Sequence, residues 1–171
     1  MKQSFLLLSL LLIFLFPAEA QVKELFTNKQ LPSIEITDMD GNKVNIADYG
    51  TKGKITVINF WATWCGPCKL ELNNIAELYA DWKKDYDVQI IAVSIDDSRN
   101  VSKVKTYVNG RAWEYTVLID ANQDLKRAIN FQAPPFTLLL DKQGNIVSSH
   151  TGYKEGDEYI LEDEIKALAK K

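Results

Sequence analysis

The sequence has few of the residues that most often bind metals. Its 171 residues include two cysteines and a single histidine, His150. A structural zinc site needs four ligands, usually a second cysteine pair or a histidine pair, so this ligand count argues against zinc. A copper site made of two cysteines and a distant histidine is conceivable, but the cysteine spacing is one residue too short for it. We therefore expect no metal and no other cofactor.

Two further absences narrow the function classes. Lysine and arginine number 20 and aspartate and glutamate 23, which gives a net charge of −3 with no basic stripe. Nucleic acid is therefore not an expected partner. Beyond the N-terminal segment, no apolar run approaches the length of a transmembrane helix, and no internal repeat is visible. A chain of this size forms one domain with a sizeable core.

The N-terminal segment carries the longest apolar run of the chain. Residues 5–16 are apolar except for one serine, Lys2 precedes them, and Ala18-Glu19-Ala20 follows. This pattern is typical of a signal peptide cleaved after residue 20, which leaves a single domain over residues 21–171. An uncleaved membrane tether is the alternative, although so short a run spans a bilayer of about 30 Å poorly. We expect an exported protein of the periplasm or cell envelope.

Trp64-Cys65-Gly66-Pro67-Cys68 contains both cysteines, directly after an apolar run that predicts a buried strand. Such a C-x-x-C pair near a βαβ pattern is typical of a redox motif. Cys65 can lie at the N-terminus of the following helix, where free N–H groups and the helix dipole favour the thiolate. The thiolate is the attacking species in disulfide exchange. A purely structural disulfide is the alternative, but so short a loop stabilises by about 2 kcal/mol at best.

The apolar pattern of the whole chain predicts alternating strands and helices. The predicted strands are 34–37, 43–46, 55–61, 88–95, 115–119, 136–140 and 145–149. The predicted helices run from the cysteine motif to about residue 84, and over 99–108, 122–130 and 156–169. This order indicates an α/β sandwich around a mixed sheet.

Three local features refine this prediction. The first helix has one apolar face, formed by Cys68, Leu72, Ile75, Tyr79 and Trp82. The last helix has an apolar stripe formed by Ile160, Leu161, Ile165 and Leu168. Asp96-Asp97-Ser98 is expected to cap the helix that begins near residue 99.

The segment from Ala62 to Lys69, with its preceding strand, resembles the active-site segment of the thioredoxin superfamily. The signal peptide with its hairpin, the extra strand and helix in mid-chain, and the segment 133–141 are similar to the TlpA/ResA-like branch of exported thiol–disulfide oxidoreductases. The resemblance covers about residues 30–170. It implies an α/β thioredoxin-like fold, a mixed central sheet flanked by helices, with an N-terminal β-hairpin and a central strand/helix insertion.

The resemblance also implies roles for residues at the motif. Cys65 is the exposed attacking thiol and Cys68 the buried resolving thiol. Trp64 packs the rim of the site and offers a flat apolar surface to a partner. Gly66 and Pro67, between the cysteines, belong to the same substrate surface and match reducing thioredoxins more closely than strong oxidants.

Pro135 occupies the family's cis-proline position, which faces the two sulfurs and shapes the substrate groove. Pro134 precedes it, where the family offers backbone groups to a bound partner's chain, and proline leaves only a carbonyl there. Asn73 stands where the branch often has a proline that kinks the first helix. Ala133 replaces a frequent glycine.

Glu71 lies three residues after Cys68, so the two share a helix face. The branch places an acid here, and a partly buried carboxylate has a raised pKa that suits a general base for the Cys68 thiol. An ordinary solvated glutamate is the alternative. Asn59 stands where cytosolic thioredoxins carry a buried aspartate, and we expect a hydrogen-bonding core residue. His150 is expected to be a surface strand residue, and Trp61 part of the core.

These observations predict an exported enzyme that reduces disulfides in other proteins. The family implies a membrane thiol as electron donor, and apocytochrome c cysteines are its best-known substrate. A disulfide oxidase or isomerase would use the same residues in the opposite direction. A non-catalytic protein that binds a partner or handles a metal is the third alternative.

Overall fold

The computed structural model describes residues 29–50, 53–111 and 113–170. The predicted signal peptide of residues 1–20 lies outside them. Within the described ranges, no helix combines the length and the apolar character needed to cross a membrane. The strands are β1 (Glu35–Asp38), β2 (Lys43–Asn45), β3 (Ile55–Trp61), β4 (Val88–Ser94), β5 (Thr116–Ile119), β6 (Phe136–Leu140) and β7 (Ile146–Thr151). The helices are α1 (Ala47–Gly50), α2 (Gly66–Tyr86), α3 (Val101–Asn109), α4 (Asp124–Ile129) and α5 (Asp157–Ala169).

The seven strands form one mixed sheet in the order β2-β1-β5-β4-β3-β6-β7. Strands β3, β4 and β5 are parallel, β6 pairs with β3 in antiparallel register, and β7 pairs with β6 in antiparallel register. The N-terminal hairpin β1–β2 joins the sheet because β1 pairs with β5, the strand of the mid-chain insertion. The expected mixed α/β sheet with a hairpin and an insertion is therefore confirmed.

Strand β3 is the centre of the core because neighbours cover both of its faces and both of its edges. All seven of its residues are buried, as the unbroken apolar run predicts for a central strand. Helix α2 packs its predicted apolar face inward, and every residue of that face is buried. Strand β3 ends at Trp61 and helix α2 begins at Gly66, so the cysteine motif fills the connection between two firmly packed elements.

Two local predictions are wrong, and one short helix has no counterpart among the predicted elements. The Asp96-Asp97-Ser98 segment does not cap helix α3, whose N-cap is Asn100 without a side-chain cap hydrogen bond. The short helix α1 was not predicted, since four residues carry no periodic signal. Ile160 does not belong to the apolar stripe of α5, because it is 53% exposed while Leu161 and Ile165 are buried.

Candidate active site

Cys65 is the N-cap residue of helix α2, in extended backbone conformation. Its Sγ accepts a hydrogen bond from the Cys68 N–H at 3.3 Å, one of the N–H groups that a helix start leaves free. A disulfide joins the two cysteines, with their Cα atoms 5.4 Å apart. Pro67 lies in the first turn, where its missing N–H breaks no helical hydrogen bond. The local sequence thus places the sulfur of Cys65 where a thiolate is stabilised.

The two cysteines differ in exposure less than the resemblance implies. Cys68 is fully buried, as expected, but Cys65 is only 6% exposed in this disulfide form. The expectation of an exposed Cys65 is therefore corrected, since nearly all of this residue's surface is covered. Trp64 beside it is 63% exposed and presents its ring at the surface.

Asp96 fixes the loop that carries the motif, a role that the sequence did not reveal. Its carboxylate accepts hydrogen bonds from the Thr63 N–H at 2.8 Å and the Thr63 hydroxyl at 2.7 Å. It also accepts one from the Ser94 hydroxyl at 2.9 Å. Asp96 lies just beyond β4 and is fully buried. Asp96 therefore joins Thr63, the residue before Trp64, to the end of the neighbouring strand. The two residues are 33 positions apart in the chain, so no local sequence pattern could indicate this contact.

The peptide bond between Pro134 and Pro135 is cis, which agrees with the family's cis-proline position. Pro135 is buried and Pro134 half-buried, directly before strand β6. The Pro135 carbonyl accepts a hydrogen bond from the Gly152 N–H at 2.8 Å. This contact fixes the segment against the end of β7.

Glu71 is buried, so the alternative of a solvated glutamate is wrong. Only 6% of the residue is exposed, and Oε1 accepts a hydrogen bond from the Thr137 hydroxyl at 3.1 Å. Among the residues that the structure describes, Oε2 has no hydrogen-bond partner. Burial raises the pKa of the Glu71 carboxyl from 4.5 to about 7, against the opposing effect of the polar side chains of Asn59 and Thr137.

Asn59 and Thr137 form a polar chain that ends at Glu71. The Asn59 Nδ2 donates to the Thr137 Oγ1 at 2.8 Å, and that hydroxyl donates onward to the carboxylate. Asn59 is fully buried on β3, which confirms the expected hydrogen-bonding core residue. Thr137 is a site residue that the sequence reasoning did not single out. Its signal was present in the segment 133–141, where a threonine follows the cis-proline by two positions.

An aromatic cluster supports the same helix from the other side. Trp61 is fully buried and lies edge-on to Trp113, with ring centroids 5.3 Å apart, which confirms it as core. The Trp113 Nε1 donates to the Asn73 Oδ1 at 3.1 Å. Helix α2 continues unbroken through Asn73, in place of the kink that the family's proline would give.

His150 lies on β7 as predicted, but its side chain is only 34% exposed. Its Nε2 lies 3.0 Å from the Glu164 Oε2 on helix α5. This hydrogen bond raises the pKa of His150 above its ordinary value. In the parts of the chain that the structure describes, no group of three or more histidine, cysteine, aspartate and glutamate side chains could hold a metal ion.

This geometry provides a reversible disulfide at a helix N-terminus and, one turn later, a buried carboxyl group that changes charge near neutral pH. The first component can exchange electron pairs with another disulfide, and the second can hold or release one proton beside it. Both components lie on helix α2, so the fold keeps them at a fixed separation.

Comparisons with known proteins agree with this arrangement. The model of the AhpC/TSA family matches residues 27–149. The chain is 33% identical over 133 residues to the thiol-disulfide oxidoreductase ResA of Bacillus thuringiensis (strain Al Hakam). The aligned residues cover 78% of this chain and 74% of that protein.

Solved structures show the same fold. A thioredoxin-like protein from Porphyromonas gingivalis is 43% identical, with a TM-score of 0.75 over 84% of this chain and 94% of that chain. StoA from Bacillus subtilis, at 23% identity, matches with a TM-score of 0.61 over 77% of this chain and 98% of that chain. The chain belongs to the AhpC/TSA family, has a thioredoxin-like fold, and is a thiol–disulfide oxidoreductase similar to ResA.

Proposed function

We propose that this protein is an exported reductase that opens disulfides in proteins of the cell envelope through Cys65 and Cys68. The observation that carries the proposal is the buried Glu71 carboxyl, one helical turn beyond Cys68 and with a pKa of about 7. A proton acceptor is needed beside the resolving thiol of a reductase, because that thiol must become a thiolate before it attacks. The glycine and proline between the cysteines favour the same direction.

In the proposed reaction the reduced protein attacks first with Cys65. The Cys65 thiolate forms a bond to one sulfur of the partner's disulfide, and the other partner sulfur leaves as a thiolate that takes a proton from solvent. Cys68 then passes its proton to Glu71, and its thiolate attacks the sulfur of Cys65. The bond between Cys65 and the partner breaks, the second partner sulfur leaves as a thiolate that takes a proton from solvent, and the enzyme holds the disulfide. Glu71 then returns its proton to solvent. Two electrons have moved from the enzyme to the partner.

We assign partner binding to the surface around Cys65. Trp64 offers an exposed aromatic ring there, and Gly66 and Pro67 form the first turn of α2 beside it. Pro134 and Pro135 belong to the same proposed surface, where Pro134 offers a partner's chain its backbone carbonyl without an N–H.

A reductase outside the cytoplasm needs a source of electrons, because its surroundings are oxidising. We propose a membrane thiol protein as that donor, as the family implies. Disulfides of apocytochrome c are one class of candidate substrate, and the name of the relative ResA supports only the general thiol–disulfide chemistry.

The reduction potential of the Cys65–Cys68 pair tests the direction. The protein is equilibrated in glutathione and dithiothreitol buffers, and the oxidised fraction is followed by tryptophan fluorescence. We expect a potential near or below about −250 mV, close to that of thioredoxin. A value between about −120 and −180 mV would overturn the reductase and indicate an oxidase or isomerase. Cys68→Ser is the control, since it cannot form the internal disulfide.

Export is tested with the full chain. We expect the protein recovered from the periplasm or cell envelope to begin at Gln21, as measured by mass spectrometry of the intact chain. A full-length chain confined to the cytoplasm would contradict export and leave the redox chemistry unaffected.

A further inference from the structure

A cavity of about 570 Å³ is lined by residues of helix α2, strands β6 and β7, the loop that follows β7 and the start of helix α5. Its described lining includes neither cysteine. Its charged and titratable lining side chains are Glu71, His150, Lys154, Asp157 and Glu158, and its polar neutral ones are Thr137, Ser149 and Thr151. A polar cavity of this size has room for several water molecules. Glu71 therefore meets the cavity on one side and the helix face of Cys68 on the other.

His150 stands close to Glu71 across this cavity. In the β6–β7 ladder His150 is the direct partner of Thr137, whose hydroxyl donates to the Glu71 carboxylate. Residues paired in this way have Cβ atoms about 5 Å apart on the same face of the sheet. Both His150 and Glu71 line the cavity, so their charges act on each other through it.

The charges around this pair are of both signs. A protonated His150 lowers the pKa of Glu71, whereas Asp157 raises it. Tyr115, just before β5, also lies within electrostatic range of Glu71. The Glu158 carboxylate accepts hydrogen bonds from the Tyr153 hydroxyl at 2.6 Å and the Gly156 N–H at 2.9 Å.

The Lys154 backbone N–H donates to the Asp157 carboxylate at 3.0 Å. Glu164 pairs with His150 from helix α5 and holds its ring in place. His150 and Lys154 both line the cavity, and Glu164 holds the His150 ring in a defined orientation there.

We propose that His150 is a positioning residue: across this cavity it sets the pH at which Glu71 gives up its proton, and so the pH at which Cys68 can release a bound partner. The inference rests on the proposed function, in which Glu71 takes the proton of Cys68. A bound partner covers the front of the motif at that moment. The lining of the cavity includes neither cysteine, and through the cavity Glu71 remains within range of the His150 charge.

Exchange with dithiobis-nitrobenzoate tests the proposal in the reduced protein. Cys65 attacks this reagent and releases one nitrothiobenzoate, and Cys68 then attacks the mixed disulfide and releases a second, so the slow phase reports Cys68. In His150→Gln we expect the pH midpoint of the slow phase to rise by about 0.5 pH unit, since a nearby cation is lost. His150→Arg keeps the cation and is expected to restore the wild-type midpoint or lower it.

Lys105→Gln is the matched control, because it removes an exposed cation on α3, away from the cavity. Its midpoint should equal that of the wild type. A His150→Gln midpoint that also equals the wild-type value overturns the proposal, as does an equal shift in the control.

Proton NMR of the oxidised protein tests the electrostatic coupling between His150 and Glu71 without any redox reaction. His150 is the single histidine of the chain, so its ring signals are recognised without assignment. We expect its titration curve to contain a second inflection from the ionisation of Glu71, which Glu71→Gln removes. A curve that Glu71→Gln leaves unchanged overturns the coupling. A failure of the reductase proposal alone would show in the reduction potential and leave this titration intact.

Discussion

The Glu71 carboxyl lies on helix α2, where its surroundings exclude nearly all water. A solvated glutamate ionises near pH 4.5, and burial raises the pKa of Glu71 to about 7. The folded protein therefore keeps a proton between these two pH values that the unfolded chain has already lost. The contribution of this group to stability is complete below about pH 4.5 and is lost as the pH rises through 7. The loss amounts to about 3 kcal/mol.

Glu71→Gln is expected to remove this pH dependence. We compare the disulfide forms of the wild type and the variant between about pH 4.5 and 8. Over this range the free energy of unfolding should fall by about 3 kcal/mol more in the wild type than in the variant. At pH 8 the variant should therefore be the more stable protein. Urea unfolding at a series of pH values measures both. Glu77→Gln, an exposed glutamate on the same helix, is the control and should follow the wild type. Parallel curves for Glu71→Gln and the wild type would contradict the raised pKa.

At the scale of elements, helix α2 is held in place by hydrogen bonds from side chains far along the chain. The Tyr115 hydroxyl, next to β5, donates to the Leu72 carbonyl at 2.8 Å. The Asn74 amide donates to the Tyr153 hydroxyl at 2.7 Å in the loop before α5. These contacts fix the rotation of the helix, which determines that Glu71 faces inward.

Tyr115→Phe removes one of these contacts and keeps the ring. We expect the free energy of unfolding to fall by about 1 kcal/mol, the usual net value of a buried hydrogen bond. Thermal or urea unfolding of the disulfide form measures this loss. Tyr159→Phe, at an exposed tyrosine of α5, removes a hydroxyl at the surface and should change stability little. Equal effects of the two variants would show that the Leu72 contact contributes nothing.

At the scale of the whole molecule, the segment before β3 lies against the turn between β6 and β7. The turn between β6 and β7 contains Gly144, in the left-handed region at φ 83°. A Cβ atom at this position would lie 2.4 Å from the carbonyl oxygen of Gly50, at the end of helix α1. The close approach therefore joins the N-terminal part of the domain to the C-terminal hairpin.

Gly144→Ala is expected to destabilise the protein more than a positive φ alone explains. Gly41→Ala is the control, since Gly41 has a similar φ of 88° and an added Cβ would have no heavy atom within 4 Å. The control should cost about 1–2 kcal/mol, the usual penalty of the left-handed region. Gly144→Ala should cost about 1–3 kcal/mol more, because two backbones must separate. Urea unfolding of both variants checks this, and equal losses would contradict the close approach.

Much of the fold could be predicted because its signals are local. The run from Ile55 to Trp61 is apolar throughout and forms the central strand. The apolar face of α2 follows the helical period, and all of its predicted members are buried. The errors fall where distant contacts compete with local preference. Asp96 resembles a helix cap in sequence, but its carboxylate is satisfied by Thr63, so it cannot serve α3.

The sequence by itself determined the redox chemistry, because the spacing of Cys65 and Cys68 fixes both the disulfide and the place of the first sulfur at a helix N-terminus. It also placed Glu71 on the helix face of Cys68. Only the tertiary structure decided that this carboxyl titrates near neutral pH. Desolvation depends on what covers a group, and strand β6, which brings Thr137 against Glu71, lies more than sixty positions further along the chain. The helical period fixes the spacing of side chains along α2, whereas the packing of distant elements determines the pH at which the Glu71 carboxyl ionises.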